Sequence, residues 1–162
     1  MSANSIKINI GKLVSALTEL ENSCDVMVRQ LQEVSRYHLP TLYPHISSFK
    51  SKMRKAKSIH QVTFNDVSSG LETYLRWYIN EMDNFSSNYS DEKINSLSST
   101  IRKMIPIAEY DLKNGGICTY ESGFSEKPIE KFIPYFQGLK SACQKFSGTS
   151  RRASDKVIIK RW

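Results

Sequence analysis

No apolar run in this chain approaches the roughly 20 residues that a membrane span needs. The stretch from Met1 to Ser5 lacks a basic region leading into an apolar segment, so no secretory signal is expected. Cysteine is scarce. Cys24, Cys118 and Cys143 form an odd set without metal-ligand spacing, which excludes a disulfide framework and fits a reducing cytosol, or a nucleus if the source is eukaryotic. The seven glycines form no phosphate-cradling loop, and neither HExxH nor GxSxG occurs. The three histidines, His38, His45 and His60, have no cysteine or carboxylate at ligand spacing, so no metal and no cofactor is expected. Acids are also in deficit, 16 against 23 lysines and arginines, for a net charge of +7. That balance excludes an acidic solvating chain and leaves polyanions open as partners.

What is present is enough apolar matter, 40% of 162 residues, for one ordinary core and one domain. The clearest pattern begins at Ile6. Ile6, Ile10, Leu13, Leu17, Leu20, Cys24, Met27, Leu31 and Val34 follow one another at alternating intervals of 4 and 3, which puts all nine on one seam of a helix. Pro40 bars the helical conformation from the residue before it, so this heptad-patterned helix is expected from about Ser5 to Tyr37, with His38 closing the seam. The flanks of the seam separate a zipper from a bundle. Of the ten flanking residues only Lys7 and Glu21 are charged, while Val14, Ala16 and Val28 widen the apolar stripe. A widened stripe belongs to a helix packed against several neighbours. The expected fold is therefore an all-α, single-domain helical bundle over residues 1–148, followed by a short basic tail over 149–162.

Further along, a short helix is expected from Pro44 to Lys57, burying Ile46, Phe49 and Met53, then a polar link through Ser58–Gln61. A third helix, capped by Thr63 or Asn65, would carry Val67, Leu71, Tyr74, Leu75, Tyr78, Met82 and Phe85 on its inner side. Its outer face carries Glu72, Arg76, Asn80, Glu81 and Asp83, so it is acidic on balance. Ser90 reads as the cap of a fourth helix, with Asp91 and Glu92 where the helix dipole favours acids. Pro106 is expected to kink that helix and Gly115-Gly116 to end it. Residues 117–124 have strand character but read as a structured loop. A last helical region starts near Ser125, bends at Pro134 and closes at Gly148.

The positive charge is concentrated. Lys50, Lys52, Arg54, Lys55 and Lys57 stand together with no acid among residues 48–60, and the tail carries Arg151, Arg152, Lys156, Lys160 and Arg161. Such clusters supply the salt-sensitive, sequence-blind part of nucleic-acid binding. The plainer reading is a solvated face, or a partner for the acidic side of the third helix. Arg151-Arg152-Ala153-Ser154 also fits the preference of a basophilic kinase for Ser154. Two aromatic residues stand out as interface candidates: Trp77, which lies off the apolar stripe, and Trp162, in the apolar segment that ends the tail. Cys24 reads as a small core residue.

Arg54 and His60, with five residues between them, resemble the R-x(4–6)-H element of HEPN ribonucleases, which are themselves small helical bundles and often dimers. The resemblance implies that Arg54 holds a phosphate and His60 acts as acid and base. It covers those seven residues, and the linker expected at Ser58–Gln61 departs from the family, which carries the element on a helix. The composition points first to a non-enzymatic helical interaction or assembly subunit, with a protein partner or second copy, whose basic clusters take nucleic acid or an acidic protein surface. The helical ribonuclease is the alternative.

Overall fold

Eight of the nine seam residues of the first helix are no more than 1% exposed, with Cys24 among them and only Val34 at an edge. The computed structural model describes residues 3–70, 75–87, 89–113 and 128–157, and among these it contains α-helices and short 3-10 turns with no strand. Helix α1 spans Ala3–Glu33. It ends about four residues before the expected Tyr37, because Ser35 is extended (φ −88°, ψ 165°) and Arg36–Thr41 form a 3-10 turn that absorbs Pro40. His38 thus leaves the seam. Its backbone N–H bonds the Ser35 carbonyl at 3.0 Å, and its ring lies 3.1 Å from the Ser35 hydroxyl.

Helix α2 is continuous over Leu42–Gly70, which overturns the short helix, linker and restart expected from the sequence. Pro44 sits in its first turn, where a missing N–H costs nothing. The linker at Ser58–Gln61 is absent because the inner stripe runs straight through it. Ile46, Phe49, Met53, Ala56, His60, Thr63 and Val67 alternate by 3 and 4, and all are buried. Ser58 and Gln61 look outward. Helix α3 spans Arg76–Ser86 and buries Tyr78, Met82 and Phe85. The expected stripe residues Leu71 and Tyr74 lie outside the described residues.

Helix α4 spans Glu92–Lys113 and buries Ile94, Leu97, Ile101, Met104 and Ala108. Its start is the expected one: the Glu92 amide donates to the Ser90 hydroxyl at 3.3 Å. Gly115-Gly116 and the 117–124 segment lie outside the described residues. A 3-10 turn at Pro128–Phe132 leads into α5, Ile133–Lys156. Pro134 falls in the first turn of α5 and so begins the helix rather than bending it. Nor does Gly148 close it. Phe136, Leu139, Cys143, Phe146, Ser150, Ala153 and Val157 keep the 4-3 rhythm past the glycine, and all are buried.

Cross-helix contacts fix the directions. Glu19 meets Lys55 while Asn9 meets Thr63, so α2 runs antiparallel to α1. Asp25 meets Lys140 at 2.7 Å and Glu21 meets Gln144 at 2.8 Å, so α5 does as well. α3 begins beside the end of α5, where the Tyr78 hydroxyl donates to Ser150 at 2.7 Å, and α4 continues past Lys57 and Lys50 towards the first 3-10 turn. The result is an up-down-up-down bundle whose third column is two helices end to end. α1 lies between α2 and α5, which is why Ala16 is buried and Val14 and Val28 are half-buried. Each fully buried large aliphatic side chain contributes about 1.5–3 kcal/mol.

Candidate polyanion-binding surface

Successive residues of an α-helix are turned by about 100°, so the five bases of α2 cannot share one face. Lys50 and Lys57 fall on the flank towards α4. Lys57 lies 3.6 Å from Asp91, and Lys50 donates to the Asn95 side chain at 3.4 Å. Lys52 and Lys55 fall on the flank towards α1, where both reach Glu19, at 4.0 and 3.0 Å. Arg54 stands on the outward arc between the flanks, exposed and with no partner among the described residues. Among the described residues, no acid of α3 takes part. The intramolecular partners are Glu19 of α1 and the start of α4, which corrects the pairing expected with the third helix.

Glu19 is the one carboxylate for two ammonium groups. Its hydrogen bond from Lys55, and then the charge of Lys52, hold its carboxyl below the usual range. Because Lys55 takes the short contact, Lys52 is only loosely neutralised. It lines a groove of about 280 Å³ between α1 and α2, together with Glu19, Asn22 and Ser23 on one side and His45 and Ser48 on the other. Val26 also lines it, so the groove joins these polar side chains to an apolar wall.

The structure separates Arg54 from His60. Six residues amount to 600° of rotation, leaving the two about 120° apart on the helix. Although this stretch is helical after all, as in the ribonuclease family it resembles, Arg54 points to solvent and His60 is 5% exposed. The His60 ring lies among Phe85, Tyr89 and Phe146, at 6.3, 5.4 and 5.8 Å between centroids. Burial lowers its pKa from the ordinary value, partly offset by a hydrogen bond to the Met82 backbone. A neutral imidazole enclosed in this way does not share a cleft with Arg54.

Arg151 and Arg152 belong to the last turns of α5 rather than to a tail, and both are exposed. Arg152 donates to the Thr149 hydroxyl at 3.3 Å. Cations here are favoured by the negative end of the helix dipole. α5 flanks α1 on the side opposite α2, so these arginines and the α2 bases form two separate patches. Ser154 is half-buried inside the helix, and its carbonyl accepts the Val157 amide at 3.1 Å. Lys160, Arg161 and Trp162 lie outside the described residues. Trp77 is half-buried against the core, its ring 5.9 Å from that of Tyr78, so only part of it remains available as an interface.

Other chemistry is sparse among the described residues. No group of three His, Cys, Asp or Glu side chains is placed to hold a metal ion. Cys24 and Cys143 are free and buried, and burial pushes the Cys143 thiol up to about 12 and that of Cys24 higher still, so neither is a ready nucleophile. No helix is long and apolar enough to cross a membrane among the described residues. Comparison with protein-family models, curated proteins and solved structures gives no match for this chain.

Proposed function

We propose that the protein is a non-enzymatic helical interaction subunit that docks through the outer side of α2 onto a polyanion, with nucleic acid as the polyanion. The observation that carries this reading is the charge on α2: five bases within eight residues answered by only two carboxylates, Glu19 and Asp91. Arg54 is unpaired at the centre, and Lys52 and Lys55 share a single acid. Cations whose intramolecular partners are surface-exposed and outnumbered exchange them for phosphates at little cost. Arg151 and Arg152 provide a second contact on another side of the bundle, suited to a partner that wraps rather than one that lies flat.

The test is the salt dependence of binding to a single-stranded oligonucleotide. Log affinity should fall linearly with log salt, by about 0.7 per phosphate neutralised. Replacing Lys52, Arg54 and Lys55 together with Gln should flatten the slope by roughly two units, since each lysine or arginine on a phosphate adds its own increment. An unchanged slope in a folded triple variant would remove α2 from the interface.

A further inference from the structure

The half of the bundle formed by the end of α2, α3 and the end of α5 contains polar atoms that the protein itself leaves without partners. His60 Nδ1, the Tyr89 hydroxyl and the Ser147 hydroxyl are fully enclosed and make no hydrogen bond. Their residues are 5%, 4% and 4% exposed. Buried polar atoms of this kind are few in native proteins, and those that occur are usually satisfied by an ordered water.

All three lie at the same end of the interior. The His60 ring meets Tyr89 edge-on at 5.4 Å and stacks over Phe146 at 5.8 Å. Ser147 follows Phe146 on α5, between Cys143 and Ser150, both of which face the interior. Ser150 is already engaged, accepting the Tyr78 hydroxyl at 2.7 Å. The neighbouring interior is thus able to pair its hydroxyls, and among the described residues the deficit is confined to these three atoms.

We infer that this compartment binds one internal water molecule, held by His60 of α2, Tyr89 of the α3–α4 link and Ser147 of α5. The donor and acceptor count selects the ligand. When its single ring proton sits on Nε2, neutral His60 presents Nδ1 as a bare acceptor in need of a donor. The Tyr89 hydroxyl has a proton to donate and needs an acceptor. Ser147 does not take the bond to the preceding turn that Thr149 makes to the Lys145 carbonyl at 3.1 Å, so its hydroxyl is open to either role. One water satisfies all three, donating to His60 and Ser147 and accepting from Tyr89, the usual three bonds of a buried water. An anion would meet the lone pair of Nδ1, and an apolar guest would leave every atom unpaired. The bound water ties three separate stretches of chain together at a point where no direct side-chain bond does so.

The experiment reads solvent in the unmodified protein, either as ordered density in a crystal structure or as water-to-protein magnetisation transfer to the Ser147 amide by NMR. A site within hydrogen-bonding distance of at least two of the three atoms is expected; an interior without one overturns the inference. Thermal unfolding of Tyr89→Phe and Ser147→Ala supplies a second readout. If the water is present, each variant strips it of a bond and lowers the midpoint, and the two changes together cost less than their sum because they share one ligand. If the compartment is dry, deleting an unpaired hydroxyl raises the midpoint instead.

Discussion

The two halves of α2 place their polar residues in opposite ways. From Leu42 to Lys57 the inner stripe is Ile46, Phe49, Met53 and Ala56, and every charge lies on the flanks or the outer arc. From Ser58 to Gly70 the inner stripe takes His60, Thr63 and Asp66 into the interior, while Val62 is left 50% exposed. The difference lies in partners rather than polarity. Thr63 donates to the Ile59 carbonyl at 2.8 Å, Asp66 accepts the Asn9 side-chain amide, and His60 is bonded to the Met82 backbone. The charges of the first half have solvent to fall back on, whereas the buried polar groups of the second half have only these protein partners. Losing a partner should therefore matter far more in the second half, although the first half holds five of the ionic charges and the second only Asp66.

The comparison is broken most severely by removing the apolar stripe itself. Phe49→Ala should cost about 3–5 kcal/mol, and Leu17→Ala or Leu31→Ala about 2–5 kcal/mol, read from denaturant unfolding. A cost below about 1 kcal/mol for Leu17 or Leu31 would show that the α1 seam is not the core of the folded protein. Next in size is Asn9→Ala, which leaves the Asp66 carboxylate buried without its amide and should cost about 1–3 kcal/mol.

Acid sharpens the contrast, because the His60 pKa is lowered in the folded state. The unfolded chain takes up the proton first, so this contribution is complete above a pH of about 6.5 and is lost as the pH falls below it. The loss is at most about 1.4 kcal/mol per pH unit, until the ring protonates in the folded protein too. A His60→Phe variant should lose that part of the pH dependence, which unfolding curves at several pH values would reveal. The smallest effect belongs to the surface. Lys57→Gln, which removes the contact with Asp91, should leave the unfolding midpoint nearly unmoved while weakening oligonucleotide binding.

The α1 seam was legible because each of its nine positions is apolar or Cys, so period and burial agree. The same 4-3 rhythm runs through α2 and α5, but there it passes through His60 and Thr63 in one case and Ser150 in the other. Read by residue type, those positions look like a linker and a tail. Their burial depends on Met82, Asn9 and Tyr78, which lie far away in the chain, and no local pattern announces such partners. Similarly, the density of bases on α2 was plain from the sequence, but Glu19 and Asp91 as their partners were not. That pairing follows from the antiparallel register, which brings residue 19 level with residue 55.

The division of the third column into α3 and α4 bears on how the molecule opens. α3 has 11 residues, too few to hold a helix without tertiary support, whereas α1 has 31 and is gripped on two sides. The chain leaves α3 at Ser86 and enters α4 only at Glu92, so α3 can detach as a local unit while the other helices stay packed. Amide protons of α3 should then exchange through this partial opening, and those in the middle of α1 only through global unfolding. Each such opening uncovers His60, Phe146 and the hydroxyls around them, which makes the detachment rate of α3 the rate at which this end of the interior communicates with bulk solvent.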